Sequence, residues 1–93
     1  MALAIQPNSV DARYNFALAL RMAGFAPDAA DELRKILAAN PDDVHAHLAL
    51  ANLCAQALHD APQARQHYLR VLALQPNHPQ AADIRFWLSA NAR

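Results

Sequence analysis

The chain has 93 residues, the length of one small domain, and its eight basic residues balance its eight acidic ones. This balance, with no basic cluster beyond Arg34-Lys35, argues against nucleic-acid binding, and no apolar run approaches the ~20 residues that a membrane span needs. The one cysteine, Cys54, excludes an internal disulfide, and a composition rich in alanine and leucine, without threonine, favours helices.

Three similar phrases, each built around a proline, indicate that the chain is internally repetitive. They are LAIQPN at residues 3–8, LAANPD at residues 37–42 and LALQPN at residues 72–77. The first two prolines are 34 residues apart, and the second and third are 35 apart. A fixed period of this length is typical of helical repeat proteins, in which each unit is one helical hairpin.

The first unit is predicted to contain two helices. Asn8 or Ser9 can cap the first helix, in the segment VDARYNFALALRMAG, and Gly24 can supply the left-handed residue that ends it. The second helix lies in PDAADELRKILAANP, where Pro27 suits the first turn and Pro41 prevents continuation. Its apolar stripe has the helical spacing i, i+4, i+7, i+8 and consists of Ala29, Leu33, Ile36 and Leu37.

The second unit repeats this plan. Asp42 or Asp43 can cap its first helix, in VHAHLALANLCAQAL, and Pro62 begins its second helix, in PQARQHYLRVLALQP. The additional residue of this unit is expected in the turn at residues 58–60, where insertion costs little. The apolar residues of the two units match in register: Phe16, Ala17 and Leu20 correspond to Leu50, Ala51 and Cys54, and Ala29, Leu33 and Ile36 correspond to Ala64, Tyr68 and Val71.

The two ends of the chain depart from the repeat. Residues 1–7 match the end of a second helix and are predicted to be the remnant of a preceding unit. Residues 77–93 are predicted to form a capping helix, because an end helix with one polar face keeps a stack of repeats soluble. Its predicted apolar face consists of Ile84, Trp87 and Leu88, and its predicted solvated face of Asp83, Arg85 and Asn91.

The 34-residue helix-turn-helix unit resembles the tetratricopeptide repeat (TPR). The resemblance covers residues 1–76 and rests on the aligned apolar positions together with the closing prolines Pro41 and Pro76. Arg13 and His47 stand where the family usually has tryptophan. The resemblance implies an all-α fold of about five helices, in which antiparallel helix-turn-helix repeats stack as a right-handed superhelix. The single domain would comprise the stub 1–7, repeat 1 at 8–41, repeat 2 at 42–76 and the capping helix at 77–93.

The resemblance also implies a shallow concave groove, lined by the first helix of each unit, that binds a peptide or a partner helix. The family's groove positions are occupied here by Asp11, Tyr14, Leu18, Arg21 and Met22, and by His45, Leu48, Asn52, Ala55 and Gln56. The family's clamp for two carboxylates is not expected, because Tyr14 and Leu18 replace its lysine and asparagine. For Asn52 two interpretations stay open: a residue that holds a ligand backbone, and a solvated polar residue.

No arrangement of residues in the sequence predicts catalysis or a cofactor. His45 and His47 project about 200° apart on a helix, so no metal site is expected, and all five histidines are interpreted as solvated or groove-facing. Cys54 occupies a core position and is interpreted as a buried, inert thiol, and Asp42-Asp43 as a helix start. Trp87 is interpreted as a packing residue of the cap rather than a binding anchor.

The sequence therefore predicts a non-enzymatic module for protein–protein interaction, without a cofactor, a nucleic-acid partner or a membrane partner. The alternative is a scaffold or self-association segment at the C-terminal end of a larger protein, which forms homo-oligomers through an open N-terminal end near Leu3, Ile5, Phe16 and Leu20. A third interpretation, an enzyme accessory or a periplasmic assembly chaperone, rests only on what TPR relatives do. A cytoplasmic location is expected, or a periplasmic one if the chain belongs to an exported parent.

Overall fold

Five α-helices joined by short turns make up the part of the chain that the computed structural model describes, residues 10–91, with side chains from residue 12 onward. The helices are α1 (Val10–Met22), α2 (Ala26–Ala39), α3 (Val44–Gln56), α4 (Ala61–Leu74) and α5 (Ala81–Ala90). No β-strand occurs within residues 10–91. The predicted all-α class and the number of helices are confirmed, while the stub predicted at residues 1–7 lies outside the described residues.

Helices that are neighbours in sequence are also neighbours in space. α1 packs on α2, α2 on α3, α3 on α4 and α4 on α5. The turns at residues 23–25 and 57–60 are so short that the helices they join must run antiparallel. Two helical hairpins therefore lie side by side through α2 and α3, with α5 against the second hairpin, a packing order consistent with a helical repeat.

The two hairpin turns differ by one residue, as the sequence predicts. In the first turn Gly24 adopts φ +92°, and the amide of Phe25 donates to the carbonyl of Leu20 at 2.8 Å, as in a Schellman motif. In the second turn His59 takes the left-handed conformation, at φ +53°. There the amide of Asp60 donates at 2.9 Å to the carbonyl of Cys54, in the last turn of α3. The longer turn therefore still provides a hydrogen-bond donor for a carbonyl at the end of the helix.

Prolines and aspartates determine where the helices begin. Pro27 and Pro62 both fall in the first turn of their helices, α2 and α4, where the missing N–H has no intrahelical partner to lose. Asp43 caps α3, because its Oδ1 accepts a hydrogen bond from the amide of Ala46 at 3.0 Å. Asp60 caps α4 in the same way. Of the two aspartates that the sequence offered as caps for α3, the structure selects Asp43.

The core is built largely from the small and branched residues of the aligned stripes. Its alanines allow the helices to approach closely, because the distance between helix axes depends on the side chains at the contact. Buried residues of the core are Ala17, Ala29, Ala30, Leu33, Ile36, Ala46, Leu50, Ala51, Leu53, Cys54, Ala64, Tyr68, Val71 and Ile84.

Phe16 differs in burial from its counterpart in the second unit, and Asn91 is placed differently from the prediction. Phe16 aligns with Leu50, yet it is 53% exposed while Leu50 is fully buried. Leu50 lies on α3, which packs against α2 as well as α4, whereas the main packing of α1 within the described residues is against α2. Asn91, predicted on the solvated face of α5, is half-buried: its carbonyl accepts a hydrogen bond from Arg65 on α4, and its Nδ2 donates to the carbonyl of Trp87.

Candidate functional site

The groove residues predicted on α1 share one face of that helix. Tyr14, Leu18 and Arg21 are separated by four and three residues, the spacing of neighbours along a helix face. Tyr14 and Leu18 are half-buried, and Arg21 is exposed. Met22, at the end of this face, is 82% exposed. The side chain of Asp11 lies outside the described residues. The described part of this face is mainly apolar, and its exposed residues, Arg21 and Met22, lie at the C-terminal end of α1.

The groove residues predicted on α3 also follow one face. His45 and Gln56 are exposed, while Leu48, Asn52 and Ala55 are half-buried. Leu48 and Ala55 pack against the core and form the floor of this face. Asn52 and Gln56 line a common cavity, and the other predicted groove residues lie outside it.

That cavity, about 350 Å³ in volume, opens between α3, α4 and α5, and we call it the α5 pocket. Its volume is at the low end for ligand sites, so it suits one side chain or a short peptide segment rather than a folded domain. The residues that line it are Asn52, Gln56, Tyr68, Gln80, Asp83, Ile84, Phe86 and Trp87.

A hydrogen bond between helices fixes the orientation of Asn52. Tyr68 is buried, with 5% of the residue exposed, and its hydroxyl donates to Oδ1 of Asn52. Burial, with a smaller effect of nearby Cys54, raises the pKa of Tyr68, so its hydroxyl stays protonated and remains a donor. Since Oδ1 is engaged, the Nδ2 donor of Asn52 must face away from Tyr68. It donates to no group within the described residues and is not fully buried.

Aromatic side chains form one wall of the α5 pocket. The ring of Trp87 packs against Tyr68, with centroids 4.9 Å apart and planes inclined by 54°, so its predicted packing role is confirmed. Trp87 also lines the pocket, beside Phe86, which is 76% exposed. The sequence contained a signal for Phe86 in the run RFWL: successive helical residues project 100° apart, so Phe86 must point outward when Trp87 and Leu88 face the core.

The α5 pocket carries a single formal charge. Asp83 is the one ionisable acid or base among its lining residues apart from the Tyr68 hydroxyl. Its carboxylate is exposed and makes no hydrogen bond or ion pair within the described part of the chain. The neighbouring cation, Arg85, donates instead to the carbonyl of Pro76 at 3.1 Å. The pocket therefore presents an uncompensated negative charge.

The interpretation of all five histidines as solvated or groove-facing is wrong for His47. Only 8% of His47 is exposed, and its Nε2 lies 2.6 Å from the carbonyl of Pro41 while its Nδ1 lies 3.0 Å from Nδ1 of His67. A carbonyl can only accept, so Nε2 of His47 carries the proton, and in the neutral pair Nδ1 of His67 donates to Nδ1 of His47. Burial, followed by His47 and Arg34, lowers the pKa of His67, which favours the neutral imidazole of His67.

The other residues considered for chemistry have structural roles. Cys54 is fully buried, and burial, with a smaller effect of Asp60, raises the pKa of its thiol, so the reactive thiolate is disfavoured. Asp43 caps α3, and Asp42 pairs with Arg70 at 2.6 Å. Among residues 12–91, no three His, Cys, Asp or Glu side chains are grouped to hold a metal ion. No helix of the described chain combines the length and apolar character needed to cross a bilayer.

A second surface lies at the opposite end of the stack, on α1 and α2. Phe16 and Leu20 line a cavity of about 520 Å³ together with charged residues of α2: Asp28, Asp31, Glu32 and Lys35. Their counterparts in the second unit, Leu50 and Cys54, are fully buried. The structure thus places Phe16 and Leu20 on the end predicted for self-association, and Leu3 and Ile5, predicted for the same surface, lie outside the described residues.

Comparisons with known proteins do not assign the chain to a family. No protein-family model matches it, and no curated protein matches it significantly. The functional interpretation therefore depends on the geometry of the chain itself.

Proposed function

We propose that the chain is a TPR-like, non-catalytic module that binds an extended peptide or a partner helix along α1 and α3. The repeat period of 34 to 35 residues, the two antiparallel hairpins and the register of their apolar residues support this proposal. The observation that carries it is the orientation of the side-chain amide of Asn52. Because Tyr68 holds its oxygen, its Nδ2 is oriented to donate to the backbone carbonyl of a ligand beside the half-buried face of α3.

A selection of phage-displayed peptides, followed by measurement of Kd by fluorescence anisotropy, tests the proposal. Asn52→Ala is combined with Tyr68→Phe so that no buried hydroxyl loses its acceptor, and Tyr68→Phe alone is the reference. Loss of one hydrogen bond predicts about fivefold weaker binding of the double variant than of the reference. Tyr14→Ala is expected to weaken binding as well, with no change in the helical circular dichroism.

The matched control is Asn15→Ala, because Asn15 is an exposed asparagine of α1 outside the predicted groove positions. Its affinity for the selected peptide should equal that of the unmodified protein. Unchanged affinity in both the Tyr14 variant and the double variant would refute the assignment of the groove.

The second candidate function is self-association through the open end of the stack. It is favoured by the exposure of Phe16 and by the cavity that it shares with Leu20. Sedimentation equilibrium over a wide concentration range tests it, with Phe16→Glu as the variant. Phe86→Glu, which charges another exposed phenylalanine at the far end, is the control. A dimer weakened only by Phe16→Glu would favour the scaffold function, and a monomer at all concentrations would eliminate it.

A further inference from the structure

We propose that the α5 pocket binds a basic side chain, preferably arginine, of the peptide that occupies the groove. This inference rests on the proposed function and specifies the chemistry of the partner. It follows from three features of the pocket: its unpaired carboxylate, its exposed aromatic ring and the oriented amide beside them.

The first feature is charge complementarity. Asp83 has no ion-pair partner within residues 12–91, and no lysine, arginine or histidine lines the pocket. Arg85, two residues along α5, projects about 200° away from Asp83 and binds a backbone carbonyl. A cation entering the pocket therefore meets a carboxylate that no cation of the described chain neutralises. The same charge disfavours an acidic ligand.

The second feature is the position of the aromatic ring relative to the carboxylate. Asp83 and Phe86 are three residues apart on α5, so their side chains are neighbours on one helix face, with Cβ atoms about 5–6 Å apart. One long cationic side chain can reach the carboxylate while its cationic group or its methylene stem lies on the ring. Arginine is preferred to lysine because its planar guanidinium stacks on rings and binds carboxylates through two donors.

The third feature identifies the cation as part of a peptide. Asn52 lines the same pocket, and its free Nδ2 is a donor, which a cation cannot use but a backbone carbonyl can. A peptide that places a basic side chain against Asp83 can therefore direct a backbone carbonyl to Asn52. A free metal ion or an amine would leave this donor without a partner.

The position of Asp83 in the first turn of α5 also stabilises that helix through its dipole, so the test must separate binding from stability. Asp28 provides the matched control. It is an exposed aspartate in the first turn of α2, without an ion pair among the described residues, and it lies on the opposite surface of the stack. Asp28→Asn and Asp83→Asn remove the same charge from the same kind of helical position.

The experiment is an NMR titration of the ¹⁵N-labelled protein with three probes, Ac-Leu-Arg-Leu-NH₂, its citrulline analogue and its glutamate analogue. Citrulline has the shape of arginine without the charge. Signals of the Asn52 side-chain amide and the Trp87 indole report on the pocket directly. The arginine probe is expected to bind about three- to tenfold more tightly than the citrulline probe, the range of a partly exposed ion pair with a ring contact. The glutamate probe is expected to bind most weakly.

Asp83→Asn should abolish the preference for arginine over citrulline, and Asp28→Asn should preserve it. Phe86→Ala, which removes a largely exposed ring, should reduce the preference while the protein remains folded. Equal binding of arginine and citrulline by the unmodified protein, or a preference that survives in Asp83→Asn, would overturn the inference but leave the groove proposal standing. Failure of all three probes to shift any signal of α1, α3 or the pocket would count against both proposals.

Discussion

The substitution of one core leucine tests the repeat packing most directly. Leu50 lies on α3, is fully buried and belongs to the core that joins the two hairpins. Leu50→Ala removes three carbon atoms and leaves a cavity that the surrounding helices can fill only in part. The equivalent residue of the first unit is Phe16, which is 53% exposed, so Phe16→Ala is the matched comparison at the same register of the repeat.

The expected loss of folding free energy in each variant follows from how much of the substituted side chain is buried. A fully buried leucine replaced by alanine costs about 2–5 kcal/mol, and a domain of this length has a total stability of about 5–14 kcal/mol. At about 4–8 °C per kcal/mol, a loss near 3 kcal/mol would lower the Tm by about 10–25 °C. For Phe16, a little under half of a side chain of ~200 Å² is buried, which at 25 cal/mol per Å² limits the cost to about 2 kcal/mol.

Urea unfolding followed by circular dichroism at 222 nm measures both free energies, and each variant is compared at two protein concentrations. With a loss near 3 kcal/mol, Leu50→Ala is expected to be the more destabilising substitution by about 1 kcal/mol, at both concentrations. A cost for Phe16→Ala equal to that for Leu50→Ala would refute the described exposure of Phe16. If that cost appeared only at the higher concentration, the open end would be covered by a second copy.

Three further predictions concern single side chains. Because burial and His47 lower the pKa of His67 below its ordinary value of 6.5, protonation favours the unfolded chain. The free energy of unfolding should therefore be at its full value above about pH 7 and should fall as the pH drops through 6.5, and His67→Gln should flatten this dependence in unfolding curves recorded between pH 7.5 and 5. Asp43→Ala should cost about 1 kcal/mol by loss of the α3 cap, whereas Asp42→Ala, which affects an exposed ion pair, should cost less than about half of that in urea titrations. Cys54 should react with a thiol reagent only as fast as the protein unfolds, since it is fully buried, and rapid labelling of the native protein would contradict its placement in the core.

The sequence alone determined the features that depend on residues close together in the chain. The helical spacing of the apolar stripes, the prolines in the first turns and the left-handed glycine at residue 24 each act within one or two turns of helix. These signals predicted all five helices and placed the extra residue of the second unit in its turn. Asn52 and Gln56 were predicted through the resemblance to the TPR, whose groove positions they occupy, and not through periodicity alone.

Only the tertiary structure decided which helices and side chains each residue of the repeat contacts. Phe16 and Leu50 are equivalent in sequence but not in burial, because burial depends on which helices pack on either side. His47 and His67 are 20 residues apart, and neither one alone indicates that their rings meet between two helices. The α5 pocket was likewise beyond sequence reasoning, since its residues come from three helices and adjoin only when α5 packs on α4. Local periodicity thus determined the helices, and the packing between helices determined the site.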